Sequence, residues 1–397
     1  MSDNMREKIN SGNTFLAVAF ISMLIAASLI MIAIPGASPP MTDDEDDDPY
    51  VDLDPFYIIG AGETYENMDE LMNDIEELAD GDVIQLSSDI TSYDPFKIEG
   101  IGVILDLKGF DMKFDVESDF GITVCDGNLT IIGNGTIDIS YGILILGTAE
   151  VIIMADVIGG IQAFGPADVT VTGDVMAGDA GILICDLSVL TVDGDVMIDG
   201  ADMTAVGSSV VIITGDLTVN GKRGIYAGSD AVVTIMGNMT VNGKYGIYAE
   251  YDAVVNMTGD MTVNGKHGIY ADYGAVVNMT GDIIVNDGEY GIYADDAVIN
   301  IIGNIIVNGD HSNGIYAIFD AVVTITGNIT VNGDGGQGIH AEDGAEVIIT
   351  GDITVTGEDP MGIDLRHSDE IAIDGELSVE DLYPYFIRLT HLDVEMI

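Results

Sequence analysis

Tyrosine stands at one fixed place in five successive copies of a short phrase, at Tyr226, Tyr248, Tyr270, Tyr293 and Tyr316, and His340 holds that place in the next copy. Such a column supports two kinds of chemistry. Stacked rings stabilise one another by about 0.5–1.5 kcal/mol per pair. Exposed rings also form a flat aromatic surface for a linear polysaccharide or for a partner's sheet face, and an apolar patch of that length is uncommon on a monomer that binds nothing. Tyr245, Tyr251, Tyr273, Tyr290 and Phe319 fall in flanking turns and widen the stripe.

Other columns repeat with the same phrase. One reads Asp174, Asp195, Asp216, Asn238, Asp260, Asp282, Asn304, Asn328 and Asp352. These are turn caps in water, or pairs such as Asp260 and Asp282 that hold Ca²⁺ through hard oxygen ligands. The nonapeptide pattern of calcium β-rolls is absent. A second column, Asn220, Asn242, Asn264, Asn286, Asn308 and Asn332, suits side-chain hydrogen bonds between stacked turns. Lys222, Lys244 and Lys266 occupy one turn of successive copies and are expected to offset Glu250, Asp252 and Asp272. His267, His311 and His340 share no metal-ligand spacing, and His311 and His340 read as solvated surface residues. No catalytic acid–base pair stands out from the periodic background. Six sequons, at Asn128, Asn134, Asn238, Asn256, Asn278 and Asn328, are candidate glycan acceptors in an exported chain.

What positions these columns is the repeat itself. The Gly that opens each copy falls at 224, 246, 268, 291, 314, 338 and 362, with weaker copies at Gly121, Gly142, Gly160 and Gly181. So even a period means one small unit stacked on itself. Each copy holds three short runs rich in Thr, Val, Ile and Tyr, parted by Gly-Asp, Asn-Gly and acidic-Gly pairs. The runs read as strands and the separators as turns that need positive φ. Three strands and three turns form one coil of a parallel β-helix. Comparing copies gives the facing. The slot after the opening Gly is Ile225, Ile247, Ile269, Ile292, Ile315, Ile339 and Ile363, while the next accepts Tyr, His340 and Asp364. Strand neighbours face opposite ways, so the Ile slot is core and the Tyr slot faces out. Thr234, Asn256, Asn278, Asn300 and Thr324 are also expected outside. About twelve coils at the interstrand spacing give a rod roughly 55–60 Å long.

With these ladders the chain resembles the right-handed parallel β-helix proteins of the pectin-lyase-like class, over roughly residues 56–380. The resemblance includes the stretch TYENMDELMNDIEELADGDVIQL followed by FKIEGIGVILDLKGFDM. It implies an all-β solenoid of about 22-residue, three-strand coils whose N-terminal helix plugs the core. Thr64 is the expected N-cap, with Met68, Leu71, Met72, Ile75 and Leu78 as the apolar face. The class includes polysaccharide lyases and hydrolases, adhesins and surface-layer components. The GIYA–TITGDITVNG phrasing looks most like adhesin-like surface proteins of archaea and bacteria.

The ends and the composition bound the rest. There are 68 acidic and 11 basic residues, a formal charge of −57. That repels a phosphate backbone and argues against nucleic-acid partners. Residues 1–13 read as a short cytoplasmic N-terminus. Residues 14–35 carry no charge and are long enough to span a bilayer, as an anchor or a longer-than-usual signal. Arg6 and Lys8 before it and the acidic run after it put the rod outside. Residues 36–55 form an acidic linker, 56–100 an N-terminal cap, 101–376 the repeats, and 377–397 a C-terminal cap. Cys125 and Cys185 lie about three coils apart, too far to pair, and are expected as separate buried thiols. The expectation is an extracellular, adhesin-like protein that is not an enzyme and has no cofactor beyond a possible Ca²⁺. It is membrane-anchored or secreted and contacts glycans or cell-envelope proteins. The alternative is a polysaccharide lyase or hydrolase.

Overall fold

The computed structural model describes residues 56–59, 64–75, 78–117, 119–366, 370–380 and 385–390. The expected membrane segment, the acidic linker and the last seven residues lie outside the described residues. Among the described residues no helix is long and apolar enough to cross a membrane.

Strands of the same coil position pair from coil to coil, building three sheets of 16, 14 and 14 strands. In one copy, Tyr245–Glu250 belongs to what we call the tyrosine sheet, Val254–Thr258 to the valine sheet and Met261–Asn264 to the asparagine sheet. Pairing is parallel and in register, as in Ile247↔Ile269 and Ile269↔Ile292. The exception is the N-terminal edge, where Phe56–Ile59 runs antiparallel to both Thr64–Tyr65 and Asp82–Leu86. The first full coil, Asp82–Leu86, Ile90–Ser92 and Phe96–Glu99, lies within the stretch expected to be cap. At the other end, Leu377–Glu380 pairs with Ile353–Thr356 and Tyr385–Thr390 with Met361–Arg366, so these strands continue the coil.

The core is the ladder system expected from the repeat. The Ile column from Ile225 to Ile363 is buried, as are Val233, Val255 and Val277 in the valine sheet and Met239, Met261 and Ile283 in the asparagine sheet. Each such side chain contributes about 1.5–3 kcal/mol by leaving water. Ala227, Ala249 and Ala271 pack inside two residues after the Ile. Glycine at the valine–asparagine corner is imposed by stacking. Gly281 has φ +144°, and a Cβ there would lie 2.0 Å from the carbonyl oxygen of Gly259.

The plug differs from its expected form. The helix α1 is short, Met68–Asn73, and buries Met68 and Leu71. Its N-cap is Asn67, whose side chain accepts from the Glu70 N–H at 3.0 Å. Thr64 instead lies in a two-residue strand, because pairing with Phe56–Ile59 takes up its backbone.

Candidate functional site: the outer face of the tyrosine sheet

Three columns face outward here. Strand Tyr245–Glu250 shows why. A Cβ on Gly246 would meet Val263 Cγ2 at 2.6 Å and the Gly268 carbonyl at 2.5 Å, so this position points inward. Ile247 after it is also inward. Two consecutive inward residues shift the alternation, as in a bulge, and turn the residue before the glycine outward. The front column is thus Arg223, Tyr245, His267, Tyr290, Asn313 and Gln337. The middle column is Tyr226, Tyr248, Tyr270, Tyr293, Tyr316 and His340. The back column includes Glu250, Asp272 and Asp295, and later Glu342.

The rings do not lie flat. From Tyr248 onward, middle-column neighbours stack at 4.8 Å (Tyr248–Tyr270), 4.4 Å (Tyr270–Tyr293), 5.3 Å (Tyr293–Tyr316) and 4.6 Å (Tyr316–His340), all within 5° of parallel, while Tyr226 meets Tyr248 at 5.6 Å and 47°. The front column stacks likewise, His267 lying 4.7 Å from Tyr245 and 5.3 Å from Tyr290. Between the columns the rings meet edge to face, at 68° to 84°. Strand spacing explains this. Coils rise about 4.8 Å but ring atoms prefer about 3.5 Å, so a stack leans by roughly 43°, and two columns leaning opposite ways cross at roughly 86°. The flat aromatic surface expected from sequence is therefore corrected to a herringbone. Ring faces serve each other, and the hydroxyls of Tyr226 and Tyr316 are engaged by Glu250 and Glu342. Tyr245 and Tyr290 belong to strands rather than to flanking turns.

Beyond the back column, the corner residues Tyr251, Tyr273 and Phe319 adopt left-handed backbone, at φ 51°, 46° and 50°. Bulky side chains rarely do so. All three stand out into solvent, Tyr251 at 51% and Tyr273 at 58% exposure, with their rings stacked at 5.0 Å.

Charge is divided across the face. Arg223 stacks 4.1 Å over Tyr226 and pairs with Asp202 at 2.8 Å. Lys244 sits 4.5 Å over Tyr245, and Lys266 pairs with Glu289. The lysines precede their strands while Glu250 and Asp272 end them, about 20 Å away along an extended strand of this length. The expected offset of these carboxylates by the lysine column is thus not what the fold builds. Tyr226 donates its hydroxyl to Glu250, and burial first, then that bond, pushes the phenol up to about 12. Burial and the Glu342 carboxylate do the same for Tyr316, which donates to Glu342 at 3.3 Å. His267 is only 5% exposed, and burial, with Lys244 next, lowers it to about 4, so it is neutral at pH 7. Asp272 is the opposite case. It is 6% exposed, and burial, then Glu250 and Asp295, raise it to about 7.

His340, expected as a solvated residue, is buried at 5% exposure. Its Nδ1 lies 3.5 Å from Asp364 Oδ2 and its Nε2 3.5 Å from Glu342 Oε2, and Arg366 donates to Asp364 at 2.7 Å. Here the aromatic column passes into an ionic network. Sequence reading missed it because its members come from two coils; the pattern break at Asp364 was the available signal.

The remaining columns are structural. In the corner column from Asp174 to Asp352 every side-chain oxygen Oδ1 accepts the backbone N–H one coil on. Asp260 accepts from Asp282 at 2.9 Å, and Asn238 accepts from Asp260 at 3.0 Å, which is why Asp and Asn interchange. Asp260 and Asp282 are two carboxylates with no third donor: among the described residues no group of three or more such side chains converges on a metal position. The Asn220–Asn332 column is a chain of amide-to-amide bonds of 2.6–3.1 Å. Of the sequons, Asn128, Asn134, Asn238 and Asn328 are exposed. Asn256, by contrast, is buried and bonded to Asn278, a geometry unsuited to glycan attachment. Cys125 and Cys185 are free and, contrary to expectation, partly exposed, because both occupy outward slots. His311 is an exposed corner residue with φ 57°.

With the geometry in hand, the class is plain. The family described as right handed beta helix region matches residues 176–353, and the chain forms an all-β right-handed parallel β-helix of about 13 turns. No curated protein and no solved structure matches the chain.

Proposed function

We propose that this β-helix is an extracellular, adhesin-like rod, membrane-anchored or secreted, that contacts glycans or other surfaces through the outer face of its tyrosine sheet. The observation that carries the reading is the three-column face, which keeps one chemistry in register over successive coils. Such a surface suits a linear, repeating ligand, since the middle column places a Tyr at the same point of five successive coils, about 4.8 Å apart, with a back-column carboxylate beside three of them. The uncharged run 14–35 between basic and acidic flanks supports export. Protease added to intact cells should then remove the rod; protection until lysis would refute an external location. Binding itself is tested by exchanging middle-column tyrosines for threonine and measuring adhesion per folded molecule.

One observation favours a second reading, polysaccharide cleavage: the His340–Asp364–Arg366 network is the place where the outward column abandons its pattern. Asp364 is fully enclosed, however, so it would act by orienting His340 rather than by touching a substrate. Release of reducing ends or unsaturated uronides from pectin or alginate by the purified chain, and its loss in His340→Gln, would establish this reading over the first.

A further inference from the structure

The back column poses an electrostatic problem that the fold leaves unsolved. Glu250, Asp272 and Asp295 end three successive strands of the tyrosine sheet, and Asp272 pairs directly with Asp295. The central residue is more than nine-tenths buried, and its Oδ1 is enclosed without a hydrogen-bond partner. An isolated carboxylate in that state is costly unless it meets a donor or a cation. The groups acting on it are two further carboxylates and the phenols of Tyr248 and Tyr270, and the lysine column stands at the far end of the strands. On the corner side Tyr251 and Tyr273 stand out, held in left-handed backbone. A row of carboxylates between two sets of aromatic rings has one natural complement: a cation carrying N–H donors, which gains from the charges and from the rings together.

We propose that this acidic row, walled by Tyr248 and Tyr270 on one side and by Tyr251 and Tyr273 on the other, binds the ammonium groups of an amino-sugar chain. The proposal rests on the glycan-contact reading above and names the substrate class within it. A chain is favoured over a small cation because carboxylates stand in three successive coils, at Glu250, Asp272 and Asp295. A sugar chain is favoured over a peptide because tyrosines line the row on both sides, with Tyr251 and Tyr273 exposed, and an extended 1,4-linked chain turns an amino group to one side at every second residue, the separation of Glu250 and Asp295. The proton held by Asp272 in the free protein, raised to about 7, is displaced on binding. Proton and ammonium therefore compete for Asp272, and this carboxylate's share of the affinity weakens as the pH falls through about 7.

The test is calorimetric titration of the full chain with glucosamine hexamer, N-acetylglucosamine hexamer and hexalysine, in two buffers of different ionisation enthalpy. The expected result is binding of the glucosamine hexamer at least tenfold tighter than of the other two, with more protons released at pH 7 than on binding to Asp272→Asn, a comparison in which proton uptake by the sugar amines cancels. Asp272→Asn should lose tenfold or more. Asp260→Asn is the charge control. It removes one carboxyl group from another column, and Asn already fills that column at Asn238 without loss of its backbone bond. Equal weakening in both variants would mean general attraction to a chain of charge −57 and would overturn the site. Equal binding of the acetylated hexamer would overturn the ammonium inference and leave the glycan reading standing. Tighter binding of hexalysine would overturn the sugar assignment. No binding of either sugar would count against both the inference and the reading it rests on.

Discussion

Asp272 is the residue at which the fold's interests and its surface chemistry diverge. Its folded value of about 7 lies above its ordinary 3.8. The folded chain therefore holds the proton more tightly than the unfolded one, and the stability that goes with it is present at low pH and lost as the pH rises from about 4 through 7. The gap caps this effect at about 4 kcal/mol. His267 works the other way. Its value is lowered from 6.5 to about 4, so the folded state loses stability as the pH falls through that window. The wild-type profile is a compromise between the two, and the informative quantity is a difference. Asp272→Asn should melt higher than wild type at pH 8 and by much less at pH 5. A wild-type advantage at pH 8 would show that the buried carboxylate is compensated in the protein. Gly246 supplies a second residue-scale prediction. A methyl there meets the neighbouring coil's carbonyl, so Gly246→Ala should cost about 1–3 kcal/mol in chemical denaturation, although alanine suits a strand better than glycine.

Elements in this molecule are coils, and their modularity follows from register. Removing Gly246–His267 joins Tyr245 directly to Gly268 and leaves each later Ile, Val and Asn column in line. That variant should retain its β-type circular dichroism and a cooperative melt. Removing 11 residues from the same place puts core side chains on the outer face and should abolish the transition. How much of this was legible depended on the length scale of each interaction. The Ile225–Ile363 column and its burial could be read directly, since strand alternation alone decides it. The amide chain from Asn220 to Asn332 was legible for the same reason: each partner is its own copy one coil on. Ring tilt was not, because it arises from a mismatch between strand spacing and atomic contact distance that leaves no mark in residue order. The outward turn of Tyr245 and His267 was hidden because Gly246 interrupts the alternation used to assign faces. The burial of His340 depends on Asp364, in the next coil. The helix cap was misplaced at Thr64 since the antiparallel strand that captures it pairs with residues Phe56–Ile59, outside the repeat.

For the whole molecule, stacking makes a long surface out of one coil's chemistry. The same register that buries Ile247 against Ile269 puts Tyr248 on Tyr270 and Asp272 beside Asp295, so the face comes with the fold. A repeating face is a reasonable match for a repeating ligand, and the central claim is that this one is used for binding and is more than a stabilising ladder. The most direct measurement replaces Tyr248, Tyr270 and Tyr293 with threonine, which keeps a strand-compatible outward side chain. Adhesion to cells or immobilised glycan is then measured per folded molecule, at a temperature where both proteins are fully folded. Loss of the stacked pairs lowers the melting temperature in either case. The account predicts that adhesion also falls at least tenfold. A variant that melts lower yet adheres as well as the wild type would contradict it.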